Sequence, residues 1–185
     1  MAATSELIRS CPVRSLQSRR PMPSEPAIHR SPEDVVRAYI AALNAHDLDL
    51  AQSLTAPDCI RHVGWRDIAT VDARGQGAAE RSWRACPDWR YDVQTVVAAD
   101  ELVAVMVRAS GRHTGEPLEL PGFGAFPASG RLLHAAWSCV YRVSKGRIVE
   151  QWQTSDLLVL LRDLGALPAT GELITDHGGV GRPRR

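Results

Sequence analysis

Two stretches near the C-terminal end of the chain carry side chains that could hold an organic molecule and act on it. Trp137, Cys139 and Tyr141 recur at every second position within Leu132 to Val143, and Gln151 and Gln153 do so within Arg147 to Gln153. In extended backbone, alternate residues share a face, so each set presents itself to one side. Two aromatic rings with a thiol and two carboxamides make an apolar slot with a few polar contacts, suited to a flat or polyene-like ligand. The same residues also fit a packed core with glutamines at its edge. Glutamine does not titrate, so Gln153 can orient or donate a hydrogen bond but cannot serve as a general base.

Histidines are the titratable candidates. His62 is a natural acid/base near neutrality, with Asp58 or Asp67 close enough in sequence to orient it; a satisfied structural group at a strand end is the alternative. His113 follows Gly111-Arg112 in a bend, where it serves either a ligand or only loop backbone. His134 has the opposite parity to Trp137, which suits a subunit interface. Asp156 fits a helix cap better than a base. Cys139 has no histidine close in sequence, and an inert buried thiol is its default role. Arg108, in mid-strand, either faces solvent or binds a carboxylate.

Several classes of function are excluded on simpler grounds. His62, His113 and His134 stand in separate segments without an HxxxH or HExxH pattern, and no P-loop or GxGxxG occurs, so neither a metal nor a nucleotide cofactor is expected. A net charge of +1 over 185 residues points to no nucleic-acid or acidic-membrane partner. No apolar run reaches the roughly 18 residues that span a bilayer. Cys11, Cys59, Cys86 and Cys139 are widely spaced, which fits a reduced cytoplasmic protein.

The elements that must position these residues are legible in turn. Residues 1–30, with Ser, Pro and scattered arginines, read as a disordered arm; Glu6, Glu25 and the prolines argue against a transit peptide. Ser31-Pro32-Glu33-Asp34 opens a helix whose stripe is Val35, Val36, Tyr39, Ile40 and Leu43. Asp47 or Asp49 starts a second, ended by Ala56-Pro57-Asp58. Cys59 to Val63 reads as a short strand, Gly64 to Arg74 as irregular, and Gly75 to Ala85 as a third helix. Trp89 to Ala98, with Tyr91, Val93, Thr95 and Val97 alternating, turns at Ala99-Asp100-Glu101 into Leu102 to Ser110. Gly111 to Glu119 extends that strand and bends it, and Leu120 to Gly130 is a loop. Leu132 to Val143 and Arg147 to Gln153 form a hairpin across Ser144-Lys145-Gly146. Thr154, Ser155 or Asp156 caps the helix Leu157 to Leu164, which Gly165 ends. Residues 168–185 read as a disordered tail. The layout is one α+β domain over 31–167, a curved antiparallel sheet with helices on one face. Sheet faces apolar on both sides predict a homodimer.

In order and spacing, the chain resembles the SnoaL-like polyketide cyclases of the NTF2-like cone fold. The resemblance rests on Val36-Arg37 with Ala42-Leu43-Asn44, Ala56-Pro57-Asp58 with His62, and Cys86-Pro87-Asp88-Trp89-Arg90. It continues through Gly111-Arg112-His113-Thr114-Gly115, Tyr141-Arg142-Val143, Gly146-Arg147-Ile148-Val149-Glu150 with Trp152 and Asp156, and Leu160 to Gly165. It implies a cofactor-free cyclase or isomerase acting on a small apolar, polyketide-like metabolite of secondary metabolism, with non-catalytic binding or epoxide opening as alternatives. It also implies that Trp137 and Cys139 face the cavity. The catalytic candidates are then His62 and Gln153, and the substrate-binding ones Leu43, Trp137, Cys139, Tyr141, Gln151 and His113. The family's proton-abstracting carboxylate falls at Gln153, and a histidine of some members falls at Cys139.

Overall fold

The computed structural model describes residues 30–63, 66–69 and 76–167. Of the segments expected to be disordered, 1–30 and 168–185, all but residue 30 lie outside the described residues. Helix α1 (Pro32–Asn44) begins with the reciprocal cap expected of Ser31: its hydroxyl accepts from Asp34 N–H, and the Asp34 carboxylate accepts from Ser31 N–H, both at 3.2 Å. Asp47 caps α2 (Leu48–Ser53) by accepting from Leu50 N–H at 2.9 Å. Strand β1 (Thr55–Val63) then starts four residues earlier than Cys59, so Ala56-Pro57-Asp58 lies within the strand and not in a loop. Within the stretch expected to be irregular, Arg66–Ala69 forms β2, an edge strand antiparallel to β1. Helix α3 (Gln76–Ala85) follows.

The remaining strands are β3 (Arg90–Ala99), β4 (Leu102–Arg112), β5 (Leu118–Leu120), β6 (Gly124–Phe126), β7 (Leu132–Ser144) and β8 (Arg147–Asp156), and α4 (Leu157–Asp163) closes the chain. Six of them form one sheet in the order β2-β1-β8-β7-β4-β3, antiparallel except for the β1–β8 pair, which is parallel. The stretch 120–130 is not simply a loop, because β5 and β6 pair as a small hairpin. Gly122 and Gly124, at φ 87° and 97°, make its turn.

Three register shifts bend the large sheet, in β1–β8, β3–β4 and β7–β8. The shift between Val93 and Thr95 also breaks the expected alternation of β3: Tyr91 and Val93 face inward, whereas Thr95 and Val97 face out. The concave face packs on Val35, Val36, Tyr39 and Ile40 of α1, and Val103, Val105, Val107, Leu133 and Ile148 complete that core.

Two contacts lock the frame. Asn44 fastens α1 to β3 as a strand would, since its amide N–H donates to Tyr91 O and its carbonyl accepts from Tyr91 N–H, both at 2.8 Å. The Gly111-Arg112-His113-Thr114-Gly115 bend lies so close to the end of α3 that glycine is required twice. A Cβ on Gly111 would meet Cys86 Cβ at 2.8 Å and the Trp89 backbone at 2.9 Å; one on Gly115 would fall on the Arg84 carbonyl oxygen. We expect Asn44→Ala to cost about 1–3 kcal/mol by orphaning the Tyr91 backbone groups. Gly115→Ala is expected to cost at least about 2 kcal/mol, because backbone must move. Urea midpoints of the two variants against the wild type measure both.

Candidate functional site

Between the concave sheet face, α1, α3 and α4 lies a cavity of about 170 Å³, large beside the roughly 10–15 Å³ that one water needs. Its sheet wall is the inner row of β7 and β8. Alternation along β7 sends Trp137 and Tyr141 inward, and Gln151 and Gln153 meet them from β8 in the register Tyr141↔Gln151 and Cys139↔Gln153. Helix α1 adds Tyr39 and Leu43. Short side chains of α3, Ala79 and Ser82, leave the space open, and Leu157 and Leu160 of α4 close one end. Tyr91 packs edge-on against Trp137 with centroids 5.6 Å apart, as Tyr39 does against Tyr141 at 6.0 Å.

One charged side chain reaches this cavity from β1. Cys59 and Arg61 point inward while Ile60 and His62 point out, and an Arg61 guanidinium nitrogen donates to Gln153 Oε1. Arginine offers only donors, so the Gln153 carbonyl must face it and the amide nitrogen must turn away, donating to Ser155 Oγ at 2.9 Å. That nitrogen has a second hydrogen to give. Arg61 Nε is buried without a partner, and no carboxylate among the described residues pairs with the guanidinium. Sequence reading missed Arg61. The strand parity that places it beside Cys59 was available, but nothing in sequence said which face of β1 meets the cavity.

Of the residues singled out by sequence, Leu43, Trp137, Tyr141, Gln151 and Gln153 line the cavity together. Three others do not. His62 lies on the outer face of the sheet, where its Nε2 meets Glu150 Oε1 at 2.9 Å and its ring stacks on Trp152 at 5.3 Å. The parity that brings Arg61 in sends His62 out. Its described carboxylate neighbour is thus Glu150 and not Asp58, and the Asp67 side chain lies outside the described residues. His113 is fully buried in its bend away from the cavity, with Nε2 at 3.2 Å from Glu116 O and Nδ1 at 3.5 Å from Ser129 Oγ, holding loop to loop. Cys139 faces inward but is packed in the core, off the cavity wall.

His134 bonds Asp163 at 2.9 Å and ties β7 to α4. Arg108 is exposed on the outer face. Asp156 lies on the cavity wall and caps α4 by accepting from Leu158 N–H at 3.1 Å. Among the described residues, no three His, Cys, Asp or Glu side chains gather to hold a metal ion.

Burial sets the protonation of the wall. It pushes the Tyr39 hydroxyl up to about 12 and raises those of Tyr91 and Tyr141 well above their ordinary value, while Arg61 pulls each back by a smaller amount. Burial likewise raises the Cys139 thiol to about 11. At neutral pH the tyrosines are therefore neutral hydrogen-bonding groups and the thiol is inert. Tyr39, Tyr91 and Tyr141 are all the tyrosines of the chain. Below the unfolded value of 10.0, both native and unfolded chains keep these protons, and the full stability is present. Above it, the unfolded chain releases protons that the native one retains, so stability falls by about 1.4 kcal/mol per pH unit for each tyrosine until its folded value is passed. Ultraviolet titration is expected to show no tyrosinate while the protein is folded, and then all three at once as circular dichroism reports unfolding.

Known structures with this architecture include AclR, a candidate hydroxylase from Streptomyces galilaeus, at 22% identity and TM-score 0.65 over 77% of this chain and 86% of that one. IdmH, a candidate polyketide cyclase from Streptomyces antibioticus, is 30% identical with a TM-score of 0.59, over 74% of this chain and 99% of its own. TsrD from Streptomyces laurentii, 22% identical, gives a TM-score of 0.60 over 73% and 95%. No curated protein matches the chain. The profile of the SnoaL-like polyketide cyclases matches residues 33–164, from the first turn of α1 to the end of α4. The chain belongs to the SnoaL-like polyketide cyclase family, on the NTF2-like α+β cone.

Proposed function

We propose that the protein is a cofactor-free cyclase or isomerase of a small, largely apolar, polyketide-like metabolite. The observation that carries this reading is the Arg61–Gln153 pair, set in a cavity walled mostly by aromatic and aliphatic side chains. In an intramolecular aldol closure, a carbon beside one carbonyl loses a proton and attacks another carbonyl carbon of the same molecule. The second oxygen takes the electron pair and then a proton. The proton count is unchanged, so no redox group is required; the carbon's proton leaves to solvent, since the wall offers no free base among the described residues, and the new alkoxide takes one back. What the protein must supply is a folded substrate and donors where oxygen gains charge. Trp137 and Tyr141 are the folding walls, and the free N–H of Gln153, polarised by Arg61 through the amide, is the donor. His62 takes no part, since it lies across the sheet.

A second reading, a binding protein without turnover, is favoured by the chemistry of the wall. Its tyrosines stay protonated, and Asp156, the one carboxylate on the wall among the described residues, already caps α4.

In this proposal the protein also works as a homodimer in the cytoplasm. Ile60, Val97 and Met106 are exposed on the outer sheet face at 44%, 61% and 55%, an apolar surface suited to a second copy. Light scattering at micromolar concentration is expected to give twice the chain mass, and a clean monomer there sinks the dimer.

Screening polycyclic polyketide-like compounds for thermal stabilisation identifies ligands, and their turnover separates the two readings. Trp137→Ala is expected to weaken binding by about tenfold or more. Gln153→Ala is expected to lower kcat about a hundredfold with little change in KM, because its bond strengthens only as charge develops. His62→Ala is expected to leave kcat unchanged. A kcat unaffected by Gln153→Ala removes the amide from the mechanism.

A further inference from the structure

Arg61 is the anomaly of the cavity. The exposed Arg37 and the half-buried Arg142 have carboxylates beside them, Glu33 at 2.7 Å for the first and Glu101 at 3.1 Å for the second. Arg61 lies inward among aromatic rings, has Gln153 as its bonded partner, and holds a buried Nε–H that meets no acceptor. Taking a cation out of water is costly unless an anion pairs with it, and removing one partner of such a pair leaves the other strongly unfavourable. The carboxamide oxygen of Gln153 satisfies one guanidinium N–H and brings no net negative charge. The other polar groups around the cavity do not compensate either. The hydroxyls of Tyr39, Tyr91 and Tyr141 are neutral, the Gln153 nitrogen is a donor, and Asp156 is not paired with Arg61. Arg61 draws all three tyrosines toward ionisation, so its charge is felt across the cavity.

We propose that the cavity is built for an organic anion, a flat apolar molecule whose carboxylate pairs with the guanidinium that Arg61 presents to the cavity. The inference rests on the reading that this cavity is the ligand site, and it adds the class of ligand. A planar guanidinium fork matches a carboxylate in geometry as well as charge. The aromatic walls of Trp137 and Tyr141 would take the ring system while Gln153 gives its spare N–H to the same end of the ligand.

The test is calorimetric titration with 2-naphthoate and its neutral isostere 2-naphthamide. The wild type is expected to bind the carboxylate about ten to a hundred times more tightly than the amide, the range for hydrogen bonds to charged partners. Arg61→Gln is expected to abolish that preference while leaving naphthamide affinity nearly unchanged, and Arg61→Lys, which keeps the charge but not the fork, to retain part of it. Trp137→Ala is expected to weaken both probes equally. If the wild type binds the two probes alike, or if Arg61→Gln leaves the preference intact, the inference is overturned; a loss of both affinities in Trp137→Ala would then keep the cavity reading standing. If neither probe binds, or Trp137→Ala changes nothing, both fall together. The wild-type comparison decides the matter even where Arg61→Gln does not fold.

Discussion

A sheet that bends around a single helix encloses more space than that helix can fill, and this mismatch shapes the whole molecule. The extra residues at the register shifts give the sheet its curvature. Helix α1 fills one part of the hollow with Val35, Val36 and Ile40, and Asn44 pins its end to β3 at a fixed height. Side chains further along the cone must then either meet across the space or leave it open. With Ala79 and Ser82 presented by α3, it stays open. Empty apolar volume is destabilising, since its lining loses contacts that a packed core would have. A fold that keeps such a space therefore concedes stability for access to a ligand.

The polar groups admitted to this space follow from strand parity. The bulge in β8 brings Gln151 and Gln153 to the inner row, and β1, running parallel beside it, brings Arg61 level with Gln151, one step from Gln153. A guanidinium and a carboxamide are then forced to share the cavity wall. The pair is directional, because arginine can only donate, and that direction fixes which edge of Gln153 faces a ligand. On the other side of the same strands, His62, Glu150, Arg142 and Trp152 form a surface cluster that the cavity does not see. Two chemically different sites are thus separated by one sheet thickness and a single step in sequence.

How much of this was legible before the structure depended on whether a signal was local. Helix α1 announced itself by Ser31, Pro32 and its apolar spacing, and strand parity put Trp137 and Tyr141 on one face of β7, which the family resemblance turned toward the cavity. Bulges leave no comparable mark. The shift after Val93 turned Thr95 and Val97 outward against the simple alternation. The choice between His62 and Arg61 was harder still. A one-residue slip exchanges the two faces of a strand, and β1 joins the body of the sheet through β8, about ninety residues away in sequence. A titratable residue type drew attention to His62, while the fold gave the inward place to Arg61. His113 misled for a similar reason: its bend resembled a binding loop, yet the two close glycine approaches bury it as a structural tie.

The missing carboxylate at Gln153 and the unpaired charge of Arg61 are two aspects of one feature. With a carboxylate at that position, Arg61 would form an ion pair. The pair would neutralise the cavity, and the arginine would hold the acid's pKa down and weaken it as a base. With glutamine there, Arg61 keeps a hydrogen-bonded neighbour but no charged partner, and position 153 cannot accept a proton. One substitution would thus move the site from removing protons toward holding negative charge. The same aromatic walls would then serve a ligand that arrives ionised or becomes negatively charged at oxygen while it is bound.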